Sequence, residues 1–411
     1  MNYVITLLFL LTSSSANLFS NTDLVWAALL VLMFIYVLVR RLLVARDLKI
    51  LGIFLLVYLV FVTLRNIWVT NLPMDYLISD FIFPFKYVLL SFTYCVILRE
   101  KALDYIVKVI THLTIISFVL YALQLIGFAD QIYNFSTSLA LPNQNKIPGY
   151  TNFIIFTFTK GIHDYRNSGF VWEPGAFGCF LILASLFNFF KNKFTLDRTS
   201  IILIIGIITT FSTTNYLALI ILLFLFYRVR VPKLNLAVII LIPAFVILFI
   251  TVPFLGDKIM AIYLDDMAGL KHIKNISNYN HKNGDQIPLN RFASMVFLYD
   301  NVGDNLYLGL SNKYDGIINQ IYNVNISNGI FDFFAKFGMF SFVYLMYTYV
   351  KFCRDYVKKF EYLIYCVLIL LIISFGEPIL FLPIVLLFLF LPFIARPKIE
   401  IANTYQVTTT V

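Results

Sequence analysis

Arg166 and Glu173 bracket a short polar string, Arg166-Asn167-Ser168-Gly169-Phe170-Val171-Trp172-Glu173-Pro174-Gly175, that ends where an apolar run begins. An arginine's planar fork matches phosphate oxygens two at a time, and a carboxylate can take a proton from a hydroxyl. Together they could hold a phosphorylated donor and activate an alcohol acceptor. Proline is also favoured in a first helical turn, where acids are stabilised by the helix dipole. Glu173 therefore has two readings: a cap on a helix that starts at Pro174, or a general base in a pocket with Arg166. Arg291 is the second candidate cation. It opens the amphipathic stretch Arg291–Tyr299, in which Phe292, Val296 and Tyr299 recur at helical spacing. His163, Asp164 and His281 are runners-up for the base.

Arg65, Lys86 and Lys336 fall in or near apolar runs. Ionisable groups in such places are functional candidates because burying them is costly. They could line a groove that guides an anionic ligand, or their stems could snorkel to the nearest polar boundary. Glu377-Pro378 opens the last apolar run and reads as a second cap or a second acid. His112, in the middle of a run, reads as a core histidine.

The elements that must position these residues are apolar runs. Of 411 residues, 60% are hydrophobic and 13% charged, against about 45–50% and about 25% in water-soluble domains. A spanning helix needs about 20 mostly apolar residues, and the sequence predicts an all-α polytopic bundle of about twelve transmembrane helices forming one membrane domain. The expected spans are Tyr3–Phe19, Leu24–Val39, Ile50–Val69, Phe81–Leu98, Leu103–Gly127 and Gly175–Phe190. They continue with Ile201–Thr214, Tyr216–Tyr227, Leu236–Leu255, Gly329–Lys351, Tyr362–Phe375 and Pro378–Ile394. Ser212-Thr213-Thr214-Asn215 is read as the turn between two of them. The first run ends in Ser13-Ser14-Ser15-Ala16, which resembles a cleavage site, but no positive residue precedes its apolar core as a secretory signal requires.

Basic clusters alternate with uncharged or acidic connections. They comprise Arg40-Arg41 with Arg46 and Lys49; Arg99 and Lys101; Lys191, Lys193 and Arg198; Arg228, Arg230 and Lys233; Lys351, Arg354, Lys358 and Lys359; and Arg396 with Lys398. The short loops Ser20–Asp23, Thr70–Asp80 and Ser212–Asn215 have no Lys or Arg. This asymmetry predicts that both termini and every basic cluster face the cytoplasm. It also explains the net charge of +9 without nucleic acid. Two long polar segments, 128–174 and 256–328, then lie on the opposite, periplasmic side, and segments of that length usually carry function. Phe153–Phe158 could lie along the membrane interface or dip into it. Cys95, Cys179, Cys353 and Cys366 lie outside both segments and read as small buried hydrophobes.

With these motifs in place, the chain resembles the O-antigen polymerase (Wzy) family and the related O-antigen ligases. The resemblance rests on Arg166, Gly169, Phe170, Glu173 and Pro174; on Thr209-Thr210-Phe211-Ser212-Thr213-Thr214-Asn215-Tyr216-Leu217; on Arg291; and on Asn305-Leu306-Tyr307-Leu308-Gly309-Leu310-Ser311. Ser327-Asn328 and Lys336-Phe337-Gly338 follow in the family's order. Leu306 and Ser311 replace a proline and a glycine of that turn. Asn328 stands near the place where ligases carry a histidine, which favours the polymerase. The resemblance implies a GT-C-like bundle and a metal-independent glycosyltransferase with no cofactor, in the bacterial inner membrane. Such an enzyme polymerises undecaprenyl-diphosphate-linked oligosaccharide repeat units into O-antigen, the glycan of lipopolysaccharide, or into capsular polysaccharide. It implies Arg166 and Arg291 on the donor diphosphate, Glu173 as base, and a chain-length regulator and a flippase as possible partners. A ligase, and a lipid-linked glycan flippase or transporter, remain the alternatives. A flippase would place charge along the midplane of its spans, whereas here charge gathers in the long segments. The sequence has no Asp-x-Asp string for a metal-bound nucleotide-sugar, no phosphate-cradling Gly-rich loop and no zinc-spaced Cys/His pair.

Overall fold

The computed structural model describes residues 1–69, 72–139, 150–161, 163, 165–230, 260, 261, 263, 264, 268, 270, 287–314 and 324–395. These residues are mostly helical. The first six helices are α1 (Asn2–Ser13), α2 (Asp23–Val39), α3 (Ala45–Trp68), α4 (Met74–Phe83), α5 (Leu89–Leu98) and α6 (Ala102–Leu123). Then come α7 (Pro174–Lys191), α8 (Arg198–Thr209), α9 (Thr213–Arg230), α10 (Arg291–Val302), α11 (Gly329–Arg354) and α12 (Phe360–Gly376). Short helical pieces supplement them.

The expectation of about twelve spans needs correction. Among the described residues, five segments are long and apolar enough to cross a membrane: α3, the run Met74–Ser138, α7, α9 and α11. Four apolar helices are shorter, namely α1, α2, α8 and α12. The reasons are local. Two expected spans fall inside the run Met74–Ser138, which reverses at Arg99 (φ 46°) through a 3₁₀ turn at Arg99–Lys101. The expected last span, Pro378–Ile394, breaks into Pro383–Leu386, a 3₁₀ turn and Leu391–Ile394, because Pro378, Pro383 and Pro392 cannot donate helical hydrogen bonds. The expected span Leu236–Leu255 lies outside the described residues.

The exposed faces show that this is a multi-pass membrane protein. On α3, Ile53, Leu56, Val57, Leu59, Val60, Leu64 and Ile67 are all exposed. A row of that size is compatible with lipid as the solvent and not with water. By contrast α7 is the central helix, buried along its whole length from Pro174 to Phe190. It packs against α6, α8 and α9, and α12 lies against both α9 and α11. The four cysteines are buried free thiols.

Phe153–Phe158 spans the turn and part of the second strand of a short hairpin. β1 (Tyr150–Asn152) pairs antiparallel with β2 (Thr157–Thr159), and Phe156 and Phe158 are buried. Within the second long segment, β3 (Ile287–Leu289) pairs in parallel with β4 (Val324–Ile326) and so ties the start of α10 to the start of α11. The turn at Asn305–Ser311 docks on the kink of α11. Gly309 (φ 74°) accepts no side chain there, since a Cβ would lie 2.6 Å from the Gly338 nitrogen. Gly338 itself has φ 79°, and Leu310 N–H donates to Ala335 at 2.7 Å.

Candidate active site

Four helix ends meet at one point: the starts of α7 and α11, the end of α12 and the start of α10. Pro174 begins α7, as the sequence predicts, with Glu173 as its N-cap residue in extended conformation. The Glu173 side chain makes no capping bond to that helix. It accepts instead from Trp172 Nε1 at 3.0 Å, and its carboxyl lies close enough to that of Glu377 for the two to interact strongly. The side-chain bond that the capping reading of Glu173 requires is therefore absent, and the carboxyl is turned towards Trp172 and Glu377.

Glu377 closes α12 and does not open a following helix. Its placement depends on two close approaches. A Cβ at Gly175 would overlap Glu377 Oε1, and a Cβ at Gly329 would overlap the Glu377 carbonyl. Replacing either glycine would displace the acid. Arg291 reaches the same acid: its Nε donates to Gly376 O at 3.0 Å and its Nη2 lies 3.5 Å from Glu377 Oε1.

Arg166 comes from the first long segment. Its Nε donates to Thr210 O at 2.9 Å, and Nη1 lies 3.4 Å from His163 Nδ1. The preceding strand of contacts fixes that position. Asn167 N–H donates to Thr209 O at 3.0 Å, and its amide donates to Ser117 Oγ at 3.0 Å and Thr209 Oγ1 at 3.2 Å. Gly169 adopts φ 50° against the Phe177 ring, which swings the chain from Arg166 back to α7. The Thr/Ser-rich end of α8 thus supplies the carbonyl ledge on which Arg166 rests. Asn215, at the turn predicted between α8 and α9, donates to Gly175 O at 2.7 Å.

The charges interact across the site. Burial pushes the Glu173 carboxyl up, but hydrogen bonds from Glu377 and Trp172 and the charges of His163 and Arg291 outweigh it and bring it below the usual carboxylate range. Burial pushes Glu377 well above that range, and the adjacent Glu173 charge adds to the rise. Burial lowers Arg166, with Glu173 and Glu377 pulling the other way. Both guanidinium groups thus act on the same two carboxyls, Glu173 and Glu377.

The other sequence candidates sit elsewhere or act indirectly. Asn328 is buried and caps α11, accepting from Ile330 and Phe331 N–H at 3.1 Å each; its amide donates to Arg291 O at 3.1 Å. It positions Arg291 through the backbone. Arg65 is fully buried against Asp80, whose other oxygen accepts from Asn312 N–H at 2.9 Å and Ser311 Oγ at 3.1 Å. That pair holds the turn after Gly309. Lys86 meets Asp23 at 2.6 Å. Lys336 is engaged by Asp332 at 3.1 Å and lies over the Phe381 ring. His163 is half-buried beside Arg166, while Asp164 and His281 lie outside the described residues. No group of three or more His, Cys, Asp or Glu that could hold a metal ion occurs among the described residues.

Sequence reasoning set Glu377 beside Glu173 only as a possible second cap or acid. The signal was present: Glu-Pro occurs twice, at Glu173-Pro174 and Glu377-Pro378, each at a helix end. No protein family, curated protein or solved structure matches this chain.

Proposed function

We propose that the chain is a glycosyltransferase of the inner membrane that polymerises undecaprenyl-diphosphate-linked repeat units into O-antigen or capsular polysaccharide. The observation that supports this reading is the meeting of Arg166 and Arg291, one from each long polar segment, around one carboxylate. Glycosyl transfer from a lipid diphosphate needs little more: cations for the charge that develops on the departing oxygen, and a base for the acceptor hydroxyl. The Nε of each arginine is spent on a backbone carbonyl, which fixes the plane of its fork. Arg166 Nη2 and Arg291 Nη1 are then the nitrogens that face an incoming diphosphate.

In the reaction, the acceptor oxygen bonds to the anomeric carbon as the bond from that carbon to the diphosphate oxygen breaks. The acceptor proton goes to Glu173, and the electron pair of the broken bond stays on the diphosphate beside the two arginines. On this reading the basic connections face the cytoplasm, and the opposite end of the bundle, with this site, faces the periplasm, where lipid-linked repeat units would meet. The use of Asn328 as a helix cap leaves the family position of the ligase histidine without a titratable group, which favours polymerase over ligase.

The test is the surface-glycan ladder of Arg166→Ala, Arg291→Ala and Glu173→Gln, read beside an immunoblot of the membrane fraction. Losing one preorganised charge stabiliser costs about 10²–10³ in rate, and losing a general base costs about 10²–10⁴. Each variant should insert at normal level and leave single repeat units. Lysine at either arginine should rescue partly, since an ammonium keeps the charge but not the planar fork that bonds the carbonyl and the ligand together. Full ladders in all three variants would refute the reading.

A further inference from the structure

Two neighbouring carboxyls resist ionising together, because each charge disfavours the other, and Glu173 and Glu377 interact in this way. The geometry of the pair decides which residue would carry a proton. Glu173 stands at the N-cap of α7 (φ −155°, ψ 164°), where the positive end of the helix dipole favours a carboxylate. Glu377 stands at the C-cap of α12 (φ −144°, ψ 144°), where the negative end opposes one. Glu377 is also the more deeply buried of the two, at 4% exposure, whereas Glu173 is half-buried. The distance to Arg291 agrees. A carboxylate and a guanidinium in a tight ion pair lie about 2.7–2.9 Å apart, but Arg291 Nη2 stands 3.5 Å from Glu377 Oε1. Meanwhile Arg291 spends its Nε on the neutral carbonyl of Gly376.

We propose that Glu377 is a neutral carboxylic acid whose O–H donates to the Glu173 carboxylate, making it the positioning residue of the site. It has two effects. It fixes the Glu173 side chain, together with the Trp172 indole, in the orientation that presents its second oxygen to a ligand. It also leaves the Arg291 charge unneutralised, so that Arg291 stays available to an anion although it lies against an acid. The charged and titratable groups around the pair are Arg166, His163 and Tyr150 from the first long segment, Arg291 from α10 and Cys179 from α7. The close packing of Gly175 and Gly329 on Glu377 keeps it from turning away to water. The role given to Glu173 rests on the proposed transfer reaction; the location of the proton does not.

Infrared spectroscopy of the full chain, purified into lipid bilayers at neutral pH, tests this directly. The difference spectrum of wild type minus Glu377→Gln should show a protonated-carboxyl stretching band that shifts in heavy water. Wild type minus Glu173→Gln should instead show a lost carboxylate band and no lost protonated one. The reverse assignment, or no protonated band in the first difference, would overturn the proposal. In cells, glutamine at 377 can still donate to Glu173 and accept from Arg291. Glu377→Gln should therefore keep a ladder within a few-fold of wild type, whereas Glu377→Leu should lose it at normal protein level. A ladder abolished by Glu377→Gln, with the protein inserted, would also overturn the proposal. A full ladder in Glu173→Gln alongside the expected spectra would instead remove Glu173 as the base of the transfer reaction and leave the proton assignment standing.

Discussion

Adding one methyl group at Gly175 should break the site without touching any charged residue. A Cβ there would overlap Glu377 Oε1 and sit 2.9 Å from its Cδ, so the carboxyl must move. The acid has no easy retreat, because it is buried and its own backbone carbonyl is pressed against Gly329. Overpacking of this kind costs about 1–3 kcal/mol. Displacing the carboxyl also forfeits its bond to Glu173, and hydrogen bonds to charged groups are worth about 1.5–3 kcal/mol. Against this, alanine gains about 1 kcal/mol of helix propensity over glycine. The balance is a loss of roughly 1.5–5 kcal/mol, seen as a lowered unfolding temperature of the detergent-purified chain. Gly52→Ala is the control. It lies inside α3 with nothing within 4 Å of its Cβ position and should not destabilise. The clash also predicts non-additivity: with Glu377→Ala already present, Gly175→Ala should add little further loss. If Gly175→Ala unfolds like wild type and gives a normal ladder, the Glu377 carboxyl does not lie over Gly175 and the two-acid site falls with it.

Two further outcomes follow from buried charge. Asp80→Ala leaves Arg65 as a buried, uncompensated cation, and breaking such a pair costs about 3–5 kcal/mol. It should lower stability far more than Ser311→Ala and open the segment around Lys313 to protease. The double change Arg65→Met with Asp80→Leu should recover most of the stability, and no recovery would mean that the pair does more than fill space. The second outcome concerns pH. Glu377 has a folded pKa raised above its unfolded value, so its contribution is complete below the unfolded carboxylate pKa. That contribution is lost as pH rises towards the folded pKa. The stability of wild type relative to Glu377→Gln should therefore fall steadily from mildly acidic to alkaline pH; a difference that grows with pH would contradict the assignment.

The legible parts of this site were those set by neighbours along the chain. Pro174 announced the start of α7, the Ser/Thr string announced the turn between α8 and α9, and the spacing of Phe292, Val296 and Tyr299 announced α10, each because the signal is local. Arg166 and Arg291 stood out as arginines in long polar segments, yet nothing local says that two such segments meet. Their meeting depends on Thr210 O and Gly376 O, two backbone carbonyls at helix ends that carry no sequence signature. Arg65 and Lys336 are legible only in part, for the converse reason. A cation in an apolar run signals that it needs a partner, and Asp80 and Asp332 are ordinary-looking acids that answer that need. Glu377 was the hardest to read, because its place depends on what Gly175 and Gly329 lack. An absent side chain on two distant helix starts makes the room into which the acid folds, and only with that room filled do the two Glu-Pro strings become one pair. Composition points to a multi-pass membrane protein, but counting apolar runs overstates the spans, since three prolines turn the last run into a packed, broken segment inside the bundle.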